Sequence, residues 1–268
     1  MVAHSQSKLK INGSTNSAFL ALIPKDKGAS SFDRFIPISL CNIGYKVIEK
    51  VIANRLREVL PKLIPENQGR FIKGRQIVDN IILVQETVQS SLQRKEKGTV
   101  IKIDLANSFE RVRNSFLLKF MQRFGFDDRF IGWIKAYIEG SWISPLVNER
   151  STNFFKATRG LMKGCPLSPL LLVLQASVPS LMLTKRRQDQ ELIGLHLAMG
   201  VPEINHAQFA DDTLILGGAS SQVASLFKHN LDSFCKVSRS KLNLGKIHLY
   251  GWNIPTRDLA EILKIPGL

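Results

Sequence analysis

The apolar positions divide the chain into segments whose spacing alternates between that of strands and that of helices. After a polar stretch over residues 1–17, "AFLALIPK" reads as a short strand, followed by a Gly/Ser/Asp loop from Lys27 to Asp33. Ile43, Val47, Val51, Ile52, Leu56, Val59 and Leu60 recur at helical spacing, and Pro61 and Pro65 are expected to end that helix. A second helix is expected over 78–94, closed by the charged "RKEKG". "TVIKID" reads as a buried strand that delivers Asp104 at its end. Helices over 113–124 and 128–140 are divided by Gly125, and hairpin character appears around Asn148–Arg150. Ser168–Pro169 is a helix-start signal for "PLLLVLQASVPSLML". Gln175, Ser177, Pro179 and Ser180 within that run mark a buried core helix, not a bilayer span. "INHAQFADDTLILG" is apolar on both sides of Asp211 and Asp212, so it reads as strand, tight turn, strand, with a helix over about 220–236 after it. This order predicts an α+β fold with helices on one face of a small antiparallel sheet.

Charge adds information that the pattern lacks. Thirty-seven Lys and Arg against 22 Asp and Glu leave a net +15, in a chain of otherwise ordinary 44% hydrophobic content. An excess of that size concentrates polyanions, and nucleic acid is the usual partner. No basic amphipathic helix dominates the charge, which argues against a membrane surface. Cys41, Cys165 and Cys235 are scattered, with neither a disulfide framework nor paired zinc-ligand spacing. They fit a reducing interior, nuclear or cytoplasmic, and the polar N-terminus has no apolar secretory core.

Asp104 at a strand end and Asp211–Asp212 at a hairpin tip form a carboxylate set suited to hard divalent cations. Two such ions about 3.5–4 Å apart are what phosphoryl transfer to a nucleotide requires. An Asp-Asp pair by itself is more often a solvated turn. The flanking apolar strands, and a second strand-terminal aspartate upstream, favour an anionic site inside a basic protein.

In chain order the sequence shows "FIPISLCNIGYKVIEKVIANRL", "NQGRFIKGRQIVDNIILVQE", "IKIDLANSFERV", "RGLMKGCPLSP", "FADD" and "KLNLGK". This series resembles the reverse transcriptases of LINE-type (non-LTR) retrotransposons, particularly those of plant genomes, over roughly residues 19–250. The resemblance implies a right-hand polymerase fold with fingers and palm. Residues 1–17 would be a flexible lead-in, 18–98 and 113–157 fingers, 99–112 and 158–250 palm, and 251–268 the start of a truncated thumb connection. It implies an RNA-directed DNA polymerase acting on an RNA template, a DNA primer and deoxynucleoside triphosphates. Two magnesium ions, or manganese in their place, would be held by Asp104, Asp211 and Asp212. Lys246 matches the lysine proposed to protonate the leaving pyrophosphate, and Phe109 the bulky residue under the incoming sugar. Gly164 matches the glycine that admits nucleotide and template, beside Lys163; Lys25 and Arg34 fall in the fingers segment, placed to contact triphosphate or template or to serve as surface charges.

The chain also departs from the family pattern. Ile36 replaces the arginine of "FRPISL", Lys163 and Cys165 replace Gln and Asp of "RQGDPLSP", and Asn107 and Glu110 replace the Lys and second acid of "KAFD". Each lost charge-assisted contact costs about 1.5–3 kcal/mol. The pattern is that of a partly degenerate copy, whose alternative role is a catalytically inactive nucleic-acid-binding remnant or a pseudogene product.

Overall fold

A computed structural model describes residues 2–198 and 200–265. Its first elements are α1 (Val2–Lys8), β1 (Ser17–Pro24), β2 (Phe35–Cys41), α2 (Ile43–Leu63), α3 (Ile77–Gln93) and β3 (Gly98–Ile103). α4 (Asn114–Arg123), α5 (Asp128–Glu139), β4 (Trp142–Val147), β5 (Arg150–Ser151) and β6 (Phe155–Lys156) follow. The chain continues through α6 (Ser168–Gln188), β7 (His206–Phe209), β8 (Asp212–Gly217), α7 (Ser221–Ser238), β9 (His248–Trp252) and α8 (Thr256–Leu263). These elements form a mixed α+β fold in two compact units, Met1–Val59 with Phe109–Leu172, and Leu60–Ser108 with Val173–Leu268.

The first unit is built on a five-stranded sheet of order β2-β1-β4-β5, with β6 also paired to β4. β1 and β2 are antiparallel, Pro24 opposite Phe35 and Ala18 opposite Cys41. β2 contains Pro37, which has no N–H to give a ladder, and the strand lies at the sheet edge where that lack is tolerated. Residues 148 and 149 both take positive φ, +49° and +64°, the geometry of a two-residue hairpin turn between β4 and β5. Residues 2–8, expected as part of a flexible lead-in, instead form α1. Trp133 on α5 is buried and its Nε1 donates to Ser5 Oγ at 3.2 Å, while Gly132 leaves space for Leu9. A buried indole N–H needs an acceptor, and α1 supplies it.

α2 forms where helical spacing predicts it, but the buried stripe is rotated from the expected one. Ile43 and Val47 are exposed at 81% and 50%, whereas Tyr45, Ile48, Glu49, Ile52, Ala53 and Leu56 are buried. A tyrosine and a glutamate on the inward face disguise that face in a count of apolar residues. Pro61 does not end the helix, which runs to Leu63. The carbonyls freed at its last turn are taken by Arg75, whose guanidinium donates to Pro61 O and Ile64 O at 3.2 and 2.8 Å.

The second unit holds a four-stranded antiparallel sheet of order β7-β8-β3-β9. Alternation along its central strands separates two cores. Ile101, Ile103 and Ile215 join Leu183 of α6 with Phe227 and Leu231 of α7 on one face. Val100 and Leu216 join Ala207 and Val84 of α3 on the other, so helices cover both faces. α6 is the buried core helix expected from sequence; its Gln175 and Ser177 are hydrogen-bonded, and Ser180 Oγ meets His206 Nε2 at 2.6 Å. Burial pushes the His206 imidazole down to about 3, so the ring is neutral, with Nδ1 bonded to Asn205 Oδ1 at 2.7 Å. Among the described residues no helix is long and apolar enough to cross a membrane.

Inside the first unit, Glu49 is fully buried with Oε2 lacking a partner, while Tyr137 donates its hydroxyl to Oε1. Burial raises the Glu49 carboxyl from an ordinary 4.5 to about 7. The folded state therefore holds this proton more tightly than the unfolded chain does. The stabilisation is fully present below pH 4.5 and lost as pH rises to about 7. We expect unfolding free energy to fall by about 3 kcal/mol across that window on account of this group. Glu49→Gln should abolish the fall and be the more stable form at pH 8, as read by urea denaturation at both ends of the range.

Candidate active site

The hairpin that carries the paired aspartates turns on two residues. Phe209 lies opposite Asp212 in the β7–β8 ladder, leaving Ala210 and Asp211 as the loop. A loop this short follows the sheet twist only with left-handed backbone at its first central residue, a place glycine usually fills. Ala210 takes it with φ +55°, which costs a residue with a Cβ about 1–2 kcal/mol. Gln68 holds it there. The Gln68 side chain accepts from Ala210 N at 2.7 Å and donates to Ala210 O at 3.0 Å, and it is fully buried.

Gln68 is itself positioned by a short segment running alongside β7. Gln208 N donates to Asn67 O at 2.7 Å and Gly69 N to Gln208 O at 2.9 Å. Asn67 Nδ2 reaches His206 O, and Asn80 Nδ2 from α3 reaches Asn67 O, both at 2.8 Å. Arg75 adds bonds to Pro65 O and Gln68 O at 2.6 and 3.0 Å. Spacing arguments singled out none of these residues. The signal available was a cluster of amides in "NQGRFIKGRQIVDN", in a segment with no strand or helix period of its own.

Asp104 follows β3 and is 8% exposed. Asn243 grips it twice, N donating to Asp104 O at 2.9 Å and Nδ2 to Oδ2 at 2.8 Å. Lys246 Nζ stands 3.3 Å from the same Oδ2. Asn243 is a further residue that sequence reasoning passed over. Burial, then the charges of Asp211 and Asp104, hold the Asp212 carboxyl above the usual carboxylate range, against the pull of Lys102 and Lys246. Asp212 thus feels the charges of both other aspartates. Asp212 also borders a cavity of about 300 Å³ with Ile77, Ile81, Lys102 and Phe209. Hard oxygen donors whose like charges accumulate are suited to divalent cations. Among the described residues, however, no three acidic, His or Cys side chains converge to grip an ion; the ammonium of Lys246 supplies the positive charge at Asp104.

The remaining predicted residues lie in the other unit. Lys163 Nζ binds Glu110 Oε1 at 2.6 Å and sits 5.6 Å from the centre of the Phe109 ring. Leu161 N donates to Phe109 O at 2.8 Å and Gly160 N to Val112 O at 2.9 Å, so the 160–163 loop is stitched to the 109–112 segment. Gly164 has φ +92°, and a Cβ there would lie 3.3 Å from Ile38 Cγ2 of β2. The positive φ favours glycine, and the contact is a tight one. Arg34 pairs with Asp26 at 2.8 Å, and Lys25 Nζ donates to Asp33 O at 2.7 Å, so both basic residues are engaged within the β1–β2 connection.

Comparison with known proteins decides the ancestry. The profile of the family described as "Reverse transcriptase (RNA-dependent DNA polymerase)" matches residues 23–256. The chain belongs to the reverse transcriptase family. Among its relatives is the transposon TX1 149 kDa protein of Xenopus laevis, 29% identical over 199 residues, which are 74% of this chain and 15% of that protein. Another is the Pol polyprotein of the type-2 retrotransposable element R2DM of Drosophila melanogaster, 24% identical over 242 residues, 90% of this chain and 22% of that one. The chain therefore spans a minor part of these non-LTR retrotransposon proteins. In fold it is similar to the telomerase of Candida albicans, with a TM-score of 0.66 at 14% identity, covering 95% of this chain and 45% of that one. That likeness is one of fingers-and-palm architecture. Reverse transcriptases as a family generally use divalent metal ions.

If Gln68 is what keeps the hairpin in its left-handed turn, Gln68→Leu should lower stability by about 2–6 kcal/mol, the sum for a buried N–H and C=O left unpaired. Chemical denaturation checks the loss. Hydrogen exchange should show it concentrated at β7 and β8.

Proposed function

We propose that this chain is the polymerising domain of a retroelement: an RNA-directed DNA polymerase that extends a DNA primer on an RNA template from deoxynucleoside triphosphates. The observation that carries this reading is the match of residues 23–256 to the reverse transcriptase family, in a chain of net +15 that sets Asp211 and Asp212 at a hairpin turn and Asp104 at the end of the neighbouring strand. Domain labels follow the same reading, with residues 99–112 and 158–250 as palm and 18–98 and 113–157 as fingers.

Asp104, Asp211 and Asp212 are the residues that would hold the divalent cations, magnesium the expected ion, after drawing closer than they stand here, where no three such side chains converge among the described residues and Lys246 occupies Asp104 Oδ2. Held there, such ions would supply Lewis acidity toward the primer hydroxyl and the phosphate charge. Asn243 orients the Asp104 carboxylate by donating to Oδ2. Lys246, at the same oxygen, carries a proton on Nζ that would pass to the leaving pyrophosphate. Phe109 would bear on the sugar of the incoming nucleotide, and Gly164 would let the backbone approach the nucleotide and template. Lys163 would contribute its charge to the nucleotide, in competition with Glu110. Lys25 and Arg34 would meet triphosphate or template, Arg34 in competition with Asp26.

The test is magnesium-dependent extension of a DNA primer on an RNA template. The expected result is measurable extension that falls by about 100-fold or more in Asp211→Asn, the scale of losing one electrostatic stabiliser of a transition state. Binding of an RNA–DNA duplex that weakens steeply with salt should persist in that variant. Duplex binding without extension, at saturating enzyme and nucleotide, would sink the polymerase reading in favour of a binding remnant.

A further inference from the structure

The three cysteines looked unrelated in the sequence, yet the fold brings two of them together. Cys41 closes the edge strand β2, and Cys165 lies in the loop ahead of α6; their Sγ atoms are 3.1 Å apart. The two segments are already pinned to one another by Ser39 N donating to Lys163 O at 2.8 Å. A disulfide needs about 2.05 Å between sulfurs, so only a small adjustment separates the pair from a bond. Cys165 occupies the position where the resembling motif has aspartate. The replacement that removes a carboxylate from the loop therefore creates the dithiol.

The surroundings assign different parts to the two thiols. Cys41 is half-buried and also touches Met162 Sδ at 3.6 Å, whereas Cys165 is buried. The Cys41 contact and burial, followed by the carboxyl of Glu49, hold the Cys165 thiol far above its ordinary range. Cys165 therefore keeps its proton, and Cys41 is the sulfur open to a small oxidant. Cys235, also half-buried, is paired with neither and serves as an internal reference.

We propose that Cys41 and Cys165 are a redox-active dithiol that hydrogen peroxide converts to an intramolecular disulfide, locking the loop of Lys163 and Gly164 onto β2. Cys41 Sγ attacks one peroxide oxygen; the O–O bond breaks, one water leaves, and Cys41 becomes a sulfenic acid. Cys165 Sγ then attacks the Cys41 sulfur, the S–O bond breaks, and the departing hydroxide takes the Cys165 proton as a second water. Two electrons pass from the sulfurs to peroxide. A dithiol reductant reverses the reaction by exchange, itself ending as a disulfide. The bond needs no polymerase activity. Its effect on extension rests on the assignment of Lys163 and Gly164 to nucleotide contact.

The experiment is a thiol count on the full chain after peroxide treatment, read under denaturing conditions, with mass mapping of unreduced peptides. Of three thiols, one should remain, and the Cys41 and Cys165 peptides should be joined. Cys235→Ser should still form the bond, and Cys41→Ser should not. Three surviving thiols at peroxide levels that oxidise free glutathione would overturn the proposal, as would a bridge to Cys235 or between chains. Extension by the bridged form should drop by about tenfold or more and recover with dithiol reductant. A bridge that leaves extension unchanged would overturn the lock. A bridge in a chain that extends in neither redox state supports the dithiol and removes the polymerase reading.

Discussion

A single side chain holds the geometry on which the acidic site rests. The β7–β8 hairpin must reverse in two residues, and the first of them is an alanine forced into left-handed backbone. Gln68 satisfies both polar groups of that residue from a fully buried position. Strain of this kind persists only where neighbours over-determine it. The over-determination is visible in the chain of partners behind Gln68: the bridge to Gln208, the amides of Asn67 and Asn80, and the guanidinium of Arg75 spread over four carbonyls. Asp211 and Asp212 inherit their positions from this network.

Electrostatics then explains why the site can be acidic in so basic a protein. Asp212 sits beside two other aspartates and is only partly accessible, so its charged form is disfavoured. Asp104 is kept in place by Asn243 and offset by Lys246. Cations are matched to anions elsewhere as well: Lys163 to Glu110, Arg34 to Asp26. Two of the basic residues expected to face a nucleotide are thus already engaged. Under the proposed function, a polyanionic substrate would compete with carboxylates of the protein itself for those charges.

Much of this was legible in the sequence because it depends on local period. The strand into Asp104, the hairpin at Asp211–Asp212, the buried apolar helix from Ser168 and the helix after Ser220 all carry their signal within a dozen residues. The family resemblance added the order of the blocks and the residues within them. Its expectations of an α+β polymerase fold and of non-LTR retrotransposon ancestry are met by the sheet topology and by the relatives.

What only the tertiary structure decided involves partners distant in sequence. Gln68 and Ala210 are 142 positions apart, Asp104 and Asn243 are 139, and Cys41 and Cys165 are 124. Side-chain amides and thiols have no period, so nothing local marks them as partners. The inward face of α2 was hidden for a related reason: Tyr45 and Glu49 are buried against residues of α5 that lie far along the chain. Sequence determined which elements form and which carboxylates end them. The long-range hydrogen bonds, which exist only once those elements pack, decided how the carboxylates are held.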